Sequence, residues 1–198
     1  MQDPMRLPQD LPIPVQDGLA DHLPGLSIPS LALPATHGGT IRLDETPPGF
    51  ERTVVYAYPL TGLPGVDNPA GWEQIPGARG CTPESCGFRD LSSDFAALGV
   101  FVVGLSTQST PYQQEVVDRL GLPYPLLSDA ALQLTQALRL PAFTVQIRPA
   151  HDGGGLRTLL KRITLVIRQG AIEKVFYPIF PPDRHADEVL EWVRGQSC

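Results

Sequence analysis

Two cysteines five residues apart are the side chains of this chain best suited to chemistry. Cys81 and Cys86 lie in the segment Gly80–Asp90, whose sequence is GCTPESCGFRD. Apolar residues recur at helical spacing from residue 81 to residue 98. Cys81 is therefore predicted at a helix N-terminus, where unpaired backbone N–H groups favour an anion. A thiol in this position is expected to have a lowered pKa and to react as a thiolate.

The helix terminus alone does not make a cysteine mostly thiolate at neutral pH. That change needs a shift of about two to three pKa units, or roughly 3 to 4 kcal/mol. A helix terminus contributes up to ~2 kcal/mol. A nearby cation must contribute the rest, and an arginine is expected because it stays charged when partly buried.

The spacing of the two cysteines also limits how they form a disulfide. Cα atoms five residues apart in a continuous helix are separated by roughly 8.7 Å, whereas a disulfide requires less than about 7 Å. If both cysteines lie in the helix when reduced, its first turns must unwind before the bond forms. Pro83 and Gly87 are expected to weaken this part of the helix.

Other uses of the cysteine pair fit the sequence less well. Zinc sites favour closer cysteines and a second pair of ligands, and no nearby His or Cys completes such a set. Thiol–disulfide exchange of the thioredoxin type normally uses C-x-x-C, whereas this chain has C-x4-C. A redox sensor or a holdase-like binding protein with the same cysteine pair is the alternative function, supported only by the apolar, proline-rich N-terminus.

The remaining pattern predicts an α/β fold with a mixed central β-sheet and helices on both faces. Parallel crossover units are followed by an antiparallel hairpin through Gln169 and Gly170. Strands are predicted at residues 53–58, 100–105, 126–127, 143–147, 162–168 and 171–177. Helices are predicted at residues 81–98, 110–120, 129–138 and 183–194, the last capped by Asp183.

Residues 1–40 are interpreted as a proline-rich arm that packs on a domain formed by residues 41–198. The chain has 22 prolines in 198 residues, and proline disfavours helix. Leucines and isoleucines between these prolines indicate an arm that packs across the domain, partly as short edge strands. The four histidines are scattered and are expected on the surface: His22, His37, His151 and His185.

Charge and hydropathy restrict the partners and the location of the protein. Lys and Arg number 15 and Asp and Glu number 21, so the net charge is −6. No basic patch for nucleic acid or for a membrane surface is visible. No apolar run is long enough to span a bilayer, and MQDPMRLPQD has no secretory signal, so a cytoplasmic location is expected. The role of Cys198 is left open.

Three segments resemble peroxiredoxins of the Q type, also called bacterioferritin comigratory proteins. The first is Gly80–Asp90, the second is RITLVI at residues 162–167, and the third is HADEVLEW at residues 185–192. The resemblance covers residues 26–195 and implies a thioredoxin-like fold.

The resemblance also implies the chemistry. Cys81 would be the peroxidatic cysteine, Cys86 the resolving cysteine that forms an intramolecular disulfide, and Arg162 the cation beside the thiolate. Glu84 matches an acid that supports the arginine. Peroxide would be the substrate and thioredoxin or a similar dithiol the reductant. The resemblance implies neither a metal nor an organic cofactor, and the protein is expected to act as a monomer.

The chain departs from the family pattern before Cys81. The family usually has Pro-x-x-x-Thr-x-x-Cys, whereas Ala78 replaces the threonine that helps to bind peroxide. An inserted loop, residues 61–80, contains Trp72, which is interpreted as loop packing or as a lid. Thr61 and Thr82 are the two candidates for the missing hydroxyl.

Overall fold

The computed structural model describes residues 7–8 and 10–196, which include nine strands and five α-helices. Cys198 lies outside these residues. The strands are β1 (Ala32–Pro34), β2 (Thr40–Arg42), β3 (Arg52–Ala57), β4 (Val100–Ser106), β5 (Leu126–Ser128), β6 (Ala142–Ile147), β7 (Gly155–Leu160), β8 (Ile163–Arg168) and β9 (Ala171–Phe176). The helices are α1 (Cys81–Asp90), α2 (Ser92–Ala97), α3 (Thr110–Leu120), α4 (Gln133–Leu138) and α5 (His185–Gly195).

The central sheet has the strand order β5-β4-β3-β8-β9. Strand β4 lies between β3 and β5 and is parallel to both, whereas β8 is antiparallel to β3 and to β9. Gln169 and Gly170 form the turn between β8 and β9, as predicted. The predicted mixed sheet is therefore confirmed.

Packing on both faces of the sheet explains why every residue of β3 is buried. Val55 and Ala57 face a core that includes Leu134 of α4. Val54 and Tyr56 face the opposite core. That core contains side chains of the other four helices, namely Phe88, Phe95, Val116 and Val189. Helices thus cover both faces, as the sequence predicts.

The N-terminal residues 20–36 lie against both edge strands. Ser27 bridges to Ala171 of β9, and Ala35 bridges to Leu127 of β5. Unpaired backbone groups of the two edges are thereby hydrogen-bonded. Five arm side chains are buried in the core that faces α4: Ala20, Leu23, Ile28, Leu33 and Ala35.

Two predicted helices have different bounds in the structure. The helix predicted at residues 81–98 is split, because Leu91 leaves helical geometry between α1 and α2 (φ −99°, ψ 6°). The helix predicted from residue 129 begins at Gln133. The Asp129 carboxylate accepts hydrogen bonds from the backbone N–H and hydroxyl of Thr135, so it anchors the start of α4 from outside the helix.

Strand β7 is an element that sequence reasoning missed. The segment between the strands predicted at 143–147 and 162–168, which contains the three glycines at 153–155, is predicted as a loop. Its residues 155–160 instead form β7, which pairs antiparallel with β6 in a separate two-stranded sheet. Only its last two residues, Leu159 and Leu160, are buried. The alternating pattern that identifies a strand is therefore absent from this segment.

Candidate active site

Cys81 is the first residue of α1, at the position the sequence predicts. Gly80 precedes it with φ +102°, a conformation that favours glycine. A Cβ on Gly80 would lie 2.2 Å from Cγ of Pro182, so the close packing of this turn also requires glycine. The Cys81 side chain is buried (3 % exposed), and its Sγ atom lies 3.6 Å from the carbonyl oxygen of Ala78.

Arg162 lies beside the Cys81 thiol. It directly precedes β8, and its Nη2 atom is 3.3 Å from Sγ of Cys81. The same atom donates a hydrogen bond to the backbone oxygen of Arg79 (3.0 Å). Nη1 donates to the carboxylate of Glu84, and both of these side chains are fully buried. Cys81 and Glu84 lie one turn apart on α1, and Arg162 is distant from both in the sequence. The three side chains together form a buried cluster.

The electrostatics of this cluster differ from the sequence prediction. Burial raises the pKa of the Cys81 thiol; Arg162 and the backbone N–H of Leu60 lower it, and Glu84 raises it further. The prediction of a lowered pKa is therefore wrong for this reduced, closed state. Sequence reasoning omitted two effects, the desolvation of the thiol and the carboxylate of Glu84, which shares the charge of Arg162.

Cys86 lies on the same helix, buried in the protein (4 % exposed), and both cysteines are in the thiol state. Because α1 is continuous from residue 81 to residue 90, the two Cα atoms are separated by roughly 8.7 Å. A disulfide between them requires local unwinding. Pro83 does not interrupt the helix, because it occupies the first turn, where an N–H is not required.

The inserted loop encloses a cavity that reaches Cys81. The cavity has a volume of about 690 Å³, and its wall runs from Leu60 through the loop to Thr82. Trp72 lies in this wall and is buried (2 % exposed), with its ring centroid 6.2 Å from that of Phe143 in β6. Its packing against the β6–β7 hairpin holds the loop in place.

The two candidates for the missing hydroxyl occupy different environments. Thr61 is fully buried, and its hydroxyl donates a hydrogen bond to Oε1 of Gln108 (3.0 Å). Thr82 follows Cys81 in α1 and lines the cavity. Ala78 lines the cavity as well but contributes only a methyl group.

His185 also belongs to this region, and the prediction that it lies on the surface is wrong. It is 1 % exposed and forms hydrogen bonds with Thr164 (2.8 Å) and Glu188 (3.2 Å). Its ring packs edge-on against Phe88 of α1. Burial raises the pKa of the Glu84 carboxyl, and the charges of Arg162 and His185 offset this only in part. Asp183, predicted as the cap of α5, lies in the preceding turn Pro182–Arg184 and makes no capping hydrogen bond.

The other histidines and the candidate metal ligands lie outside this cluster. His151 is also buried, contrary to prediction, and hydrogen-bonds to Tyr112 and to the backbone of Asp67. His22 is half-buried and His37 is exposed. Across residues 7–8 and 10–196, no group of three or more His, Cys, Asp or Glu side chains is arranged to hold a metal ion.

Comparison with protein families and known sequences places this geometry in context. The redoxin family model matches residues 23–190. A putative peroxiredoxin of Coxiella burnetii is 26 % identical over 166 residues, which cover 84 % of this chain and 95 % of the relative. The chloroplastic peroxiredoxin Q of Populus jackii is 29 % identical over 172 residues, which cover 86 % and 68 % of the two chains.

Solved structures show the same fold. The peroxidoxin BcpB of Mycobacterium tuberculosis superposes with a TM-score of 0.65 at 27 % identity, covering 88 % of this chain and 98 % of the other. The bacterioferritin comigratory protein of Xanthomonas campestris gives a TM-score of 0.62 at 20 % identity, covering 96 % and 100 %. The chain therefore belongs to the redoxin family, and its homologues are peroxiredoxins, several of them of the Q type.

Proposed function

We propose that this thiol peroxidase uses Cys81 as its nucleophile and Arg162 as the cation that stabilises the thiolate. The observation that carries this assignment is the 3.3 Å contact between Arg162 Nη2 and the Sγ atom of Cys81, a residue that lines the cavity. The thiolate sulfur attacks one peroxide oxygen, so that an S–O bond forms and the O–O bond breaks. The leaving oxygen takes a proton and departs as water or an alcohol, and Cys81 becomes a sulfenic acid.

Cys86 then acts as the resolving residue. Its thiolate attacks the sulfenic sulfur, forms the Cys81–Cys86 disulfide and releases the sulfenic hydroxyl as water. Because both sulfurs belong to one chain, the cycle needs no second copy, which supports a monomer. A thioredoxin-type dithiol returns both cysteines to thiols by disulfide exchange and is itself oxidised.

The cellular setting is proposed from charge and fold. A net charge of −6 supports a protein that binds neither nucleic acid nor an anionic membrane surface. Within the described residues, no helix is long and apolar enough to span a membrane. A catalytic cycle that depends on a dithiol reductant supports action in the cytoplasm, where such reductants keep thiols reduced.

Residues 1–40 are proposed to act as a structural arm of the domain formed by residues 41–198. The pairing of Ser27 with Ala171 and of Ala35 with Leu127 supports this role. The arm would then stabilise the sheet that positions Arg162, instead of contributing to the chemistry.

The test is peroxide consumption by the reduced protein with intact-mass analysis. Wild type should consume one equivalent and lose two hydrogens, Cys81→Ser should be inert, and Cys86→Ser should stop at a sulfenic acid or overoxidise. Consumption by Cys81→Ser at the wild-type rate would refute the nucleophile assignment. A wild-type protein that is oxidised but is not returned to the thiol state by any dithiol would favour the redox-sensor alternative.

A further inference from the structure

The cavity beside Cys81 is far larger than hydrogen peroxide requires. Its volume of about 690 Å³ lies within the range of sites that enclose organic ligands, roughly 300–1,000 Å³. Its wall combines apolar side chains with a few charged ones. The larger apolar side chains of the wall include Leu60, Leu63, Val66 and Trp72.

The charged side chains of the wall are Asp67, Glu73 and Arg79, and each of them has an ion-pair partner. Nε of Arg79 lies 3.3 Å from Oε2 of Glu73, and the two side chains are 11 % and 37 % exposed. Asn68 donates a hydrogen bond to the other oxygen of Glu73 (3.1 Å). Asp67 is exposed and lies 4.0 Å from Arg148 at the rim. Arg79 is therefore the cation of this wall, and the carboxylate of Glu73 offsets its charge, although Arg79 Nε and Glu73 Oε2 are not aligned for a hydrogen bond.

A negatively charged ligand would be disfavoured in this cavity. Its carboxylate would have to displace Glu73 from Arg79 and would then face the carboxylates of Glu73 and Asp67. Carboxylates that share one cavity repel each other, and the repulsion is stronger where water is partly excluded. Arg162, the arginine that contacts Cys81, does not line this cavity and is already paired with Glu84 and with the thiol.

We propose that the inserted loop selects uncharged organic hydroperoxides and that Glu73 is the residue that sets this selectivity, by neutralising Arg79. This inference rests on the proposed function and goes beyond it, because it concerns the charge of the substrate. An uncharged hydroperoxide contacts the apolar wall without breaking the Arg79–Glu73 ion pair. Removal of the Glu73 charge should convert Arg79 into a binding group for carboxylates.

The experiment uses two hydroperoxides of nearly equal shape, cumene hydroperoxide with a para-carboxylate and the methyl ester of that compound. For wild type, kcat/KM should favour the ester by about tenfold, the size of a partly screened charge repulsion. Glu73→Gln should remove or reverse this preference. Glu45→Gln is the matched control, since Glu45 pairs with Arg42 (3.0 Å) on an exposed surface away from the cavity. It should keep the wild-type ratio.

A double-mutant cycle isolates the ion pair. Arg79→Gln should increase the preference for the ester, and the double variant Glu73→Gln/Arg79→Gln should return the ratio towards the wild-type value. An equal rate for both compounds in wild type, or an unchanged ratio in Glu73→Gln, would overturn the proposal. Thermal unfolding of each variant shows whether its cavity is still folded.

A binding measurement separates this proposal from the proposed function. Titration of Cys81→Ser with the alcohols that correspond to the two hydroperoxides measures charge selectivity without turnover. If wild type consumes neither hydroperoxide but the ester alcohol binds more tightly, the proposed function fails and the selectivity stands. If both hydroperoxides are consumed and the two alcohols bind equally, the selectivity fails and the proposed function stands.

Discussion

The charge of Arg162 is divided between Cys81 and Glu84, and this division influences the reactivity of the thiol. Nη1 of Arg162 donates to Glu84, and Nη2 is 3.3 Å from Cys81 Sγ. The Glu84 carboxylate holds the guanidinium in place, but its negative charge raises the pKa of Cys81. Under the proposed mechanism, the position and the charge of Glu84 therefore have opposite effects on the rate of peroxide attack.

Replacement of Glu84 by glutamine separates these two effects. Glutamine can still accept the Arg162 hydrogen bond but carries no charge, so the pKa of Cys81 should fall. More thiolate is then present at any pH below that pKa, and the midpoint of the rate–pH profile should move to lower pH. Ultraviolet absorbance of the thiolate and the peroxide rate measure the two quantities. Asp90→Asn, an exposed carboxylate on the same helix, is the control. A lower rate with an unchanged midpoint would show that Glu84 acts only by positioning.

The hydroxyl that replaces the family threonine is the second prediction at this scale. Thr82 lines the cavity, whereas the Thr61 hydroxyl is already bonded to Gln108. Thr82→Val should lower the rate with peroxide by roughly a hundredfold to a thousandfold, the effect of losing one transition-state donor, and Thr82→Ser should retain most of the rate. Thr61→Val should instead cost about 1–3 kcal/mol of stability. A rate loss in Thr61→Val alone would assign the role to Thr61.

The site could be predicted from sequence only as far as it depends on local motifs. Cys81, Cys86 and Arg162 each lie in a short segment that matches the family pattern. The burial of His185 depends on how α5 packs against α1 and β9, which no local pattern encodes. The pKa of Cys81 depends in the same way on the depth of burial and on the shared charge of Arg162, both of which are properties of the assembled fold.

At the scale of elements, the proposed cycle requires that α1 is a stable helix when both cysteines are thiols and that its first turns unwind when the disulfide forms. Phe88 anchors its middle through stacking on Tyr56, with ring centroids 4.5 Å apart. The Tyr56 hydroxyl donates to the Ser85 hydroxyl (3.2 Å), and the Tyr124 hydroxyl donates to the Ser85 backbone oxygen (2.8 Å). The turns between Cys81 and Ser85 must give up these hydrogen bonds before the two sulfurs can meet.

Hydrogen exchange tests this opening. Oxidation of the reduced protein with one equivalent of peroxide should speed amide exchange in residues 81–90, because the disulfide cannot form across roughly 8.7 Å of intact helix. Exchange in β3 and β4 should not change. Cys86→Ser is the control, since its sulfenic acid leaves α1 folded. Full protection of α1 in protein whose mass shows the disulfide would contradict this account.

Elements with a clear hydrophobic pattern in the sequence are predicted well. Elements whose bounds depend on tertiary contacts are not. The strands near residues 53–58 and 100–105 are apolar runs, and both are buried in the sheet. The break at Leu91 and the strand β7 carry no such signal: Leu91 is an ordinary helical residue type, and β7 begins at the third of three consecutive glycines. Both depend on tertiary contacts that override local preference.

For the whole molecule, the arm links the two edges of the sheet. Gly25 and Ile28 donate backbone hydrogen bonds to Ile172 and Gly170 at the β9 edge (both 2.8 Å), and Thr36 donates to Leu126 of β5 (3.1 Å). The sequence indicated an apolar, extended arm but not which strands it would meet. The strands that the arm pairs with are determined by the strand order of the sheet, which cannot be derived from the residues of the arm.

The stability of the domain should therefore depend on the buried part of the arm. Leu23 is fully buried in the core that faces α4, so Leu23→Ala removes apolar contacts and leaves a cavity. The free energy of unfolding should fall by about 2–5 kcal/mol, as measured by urea denaturation of the reduced protein. Ile13→Ala, an equally apolar arm residue that is 65 % exposed, should change it by less than about 0.5 kcal/mol. Equal small losses in both variants would mean that the arm packs on the domain without stabilising it. A loss confined to Leu23→Ala would make the arm part of the folding unit that positions Arg162.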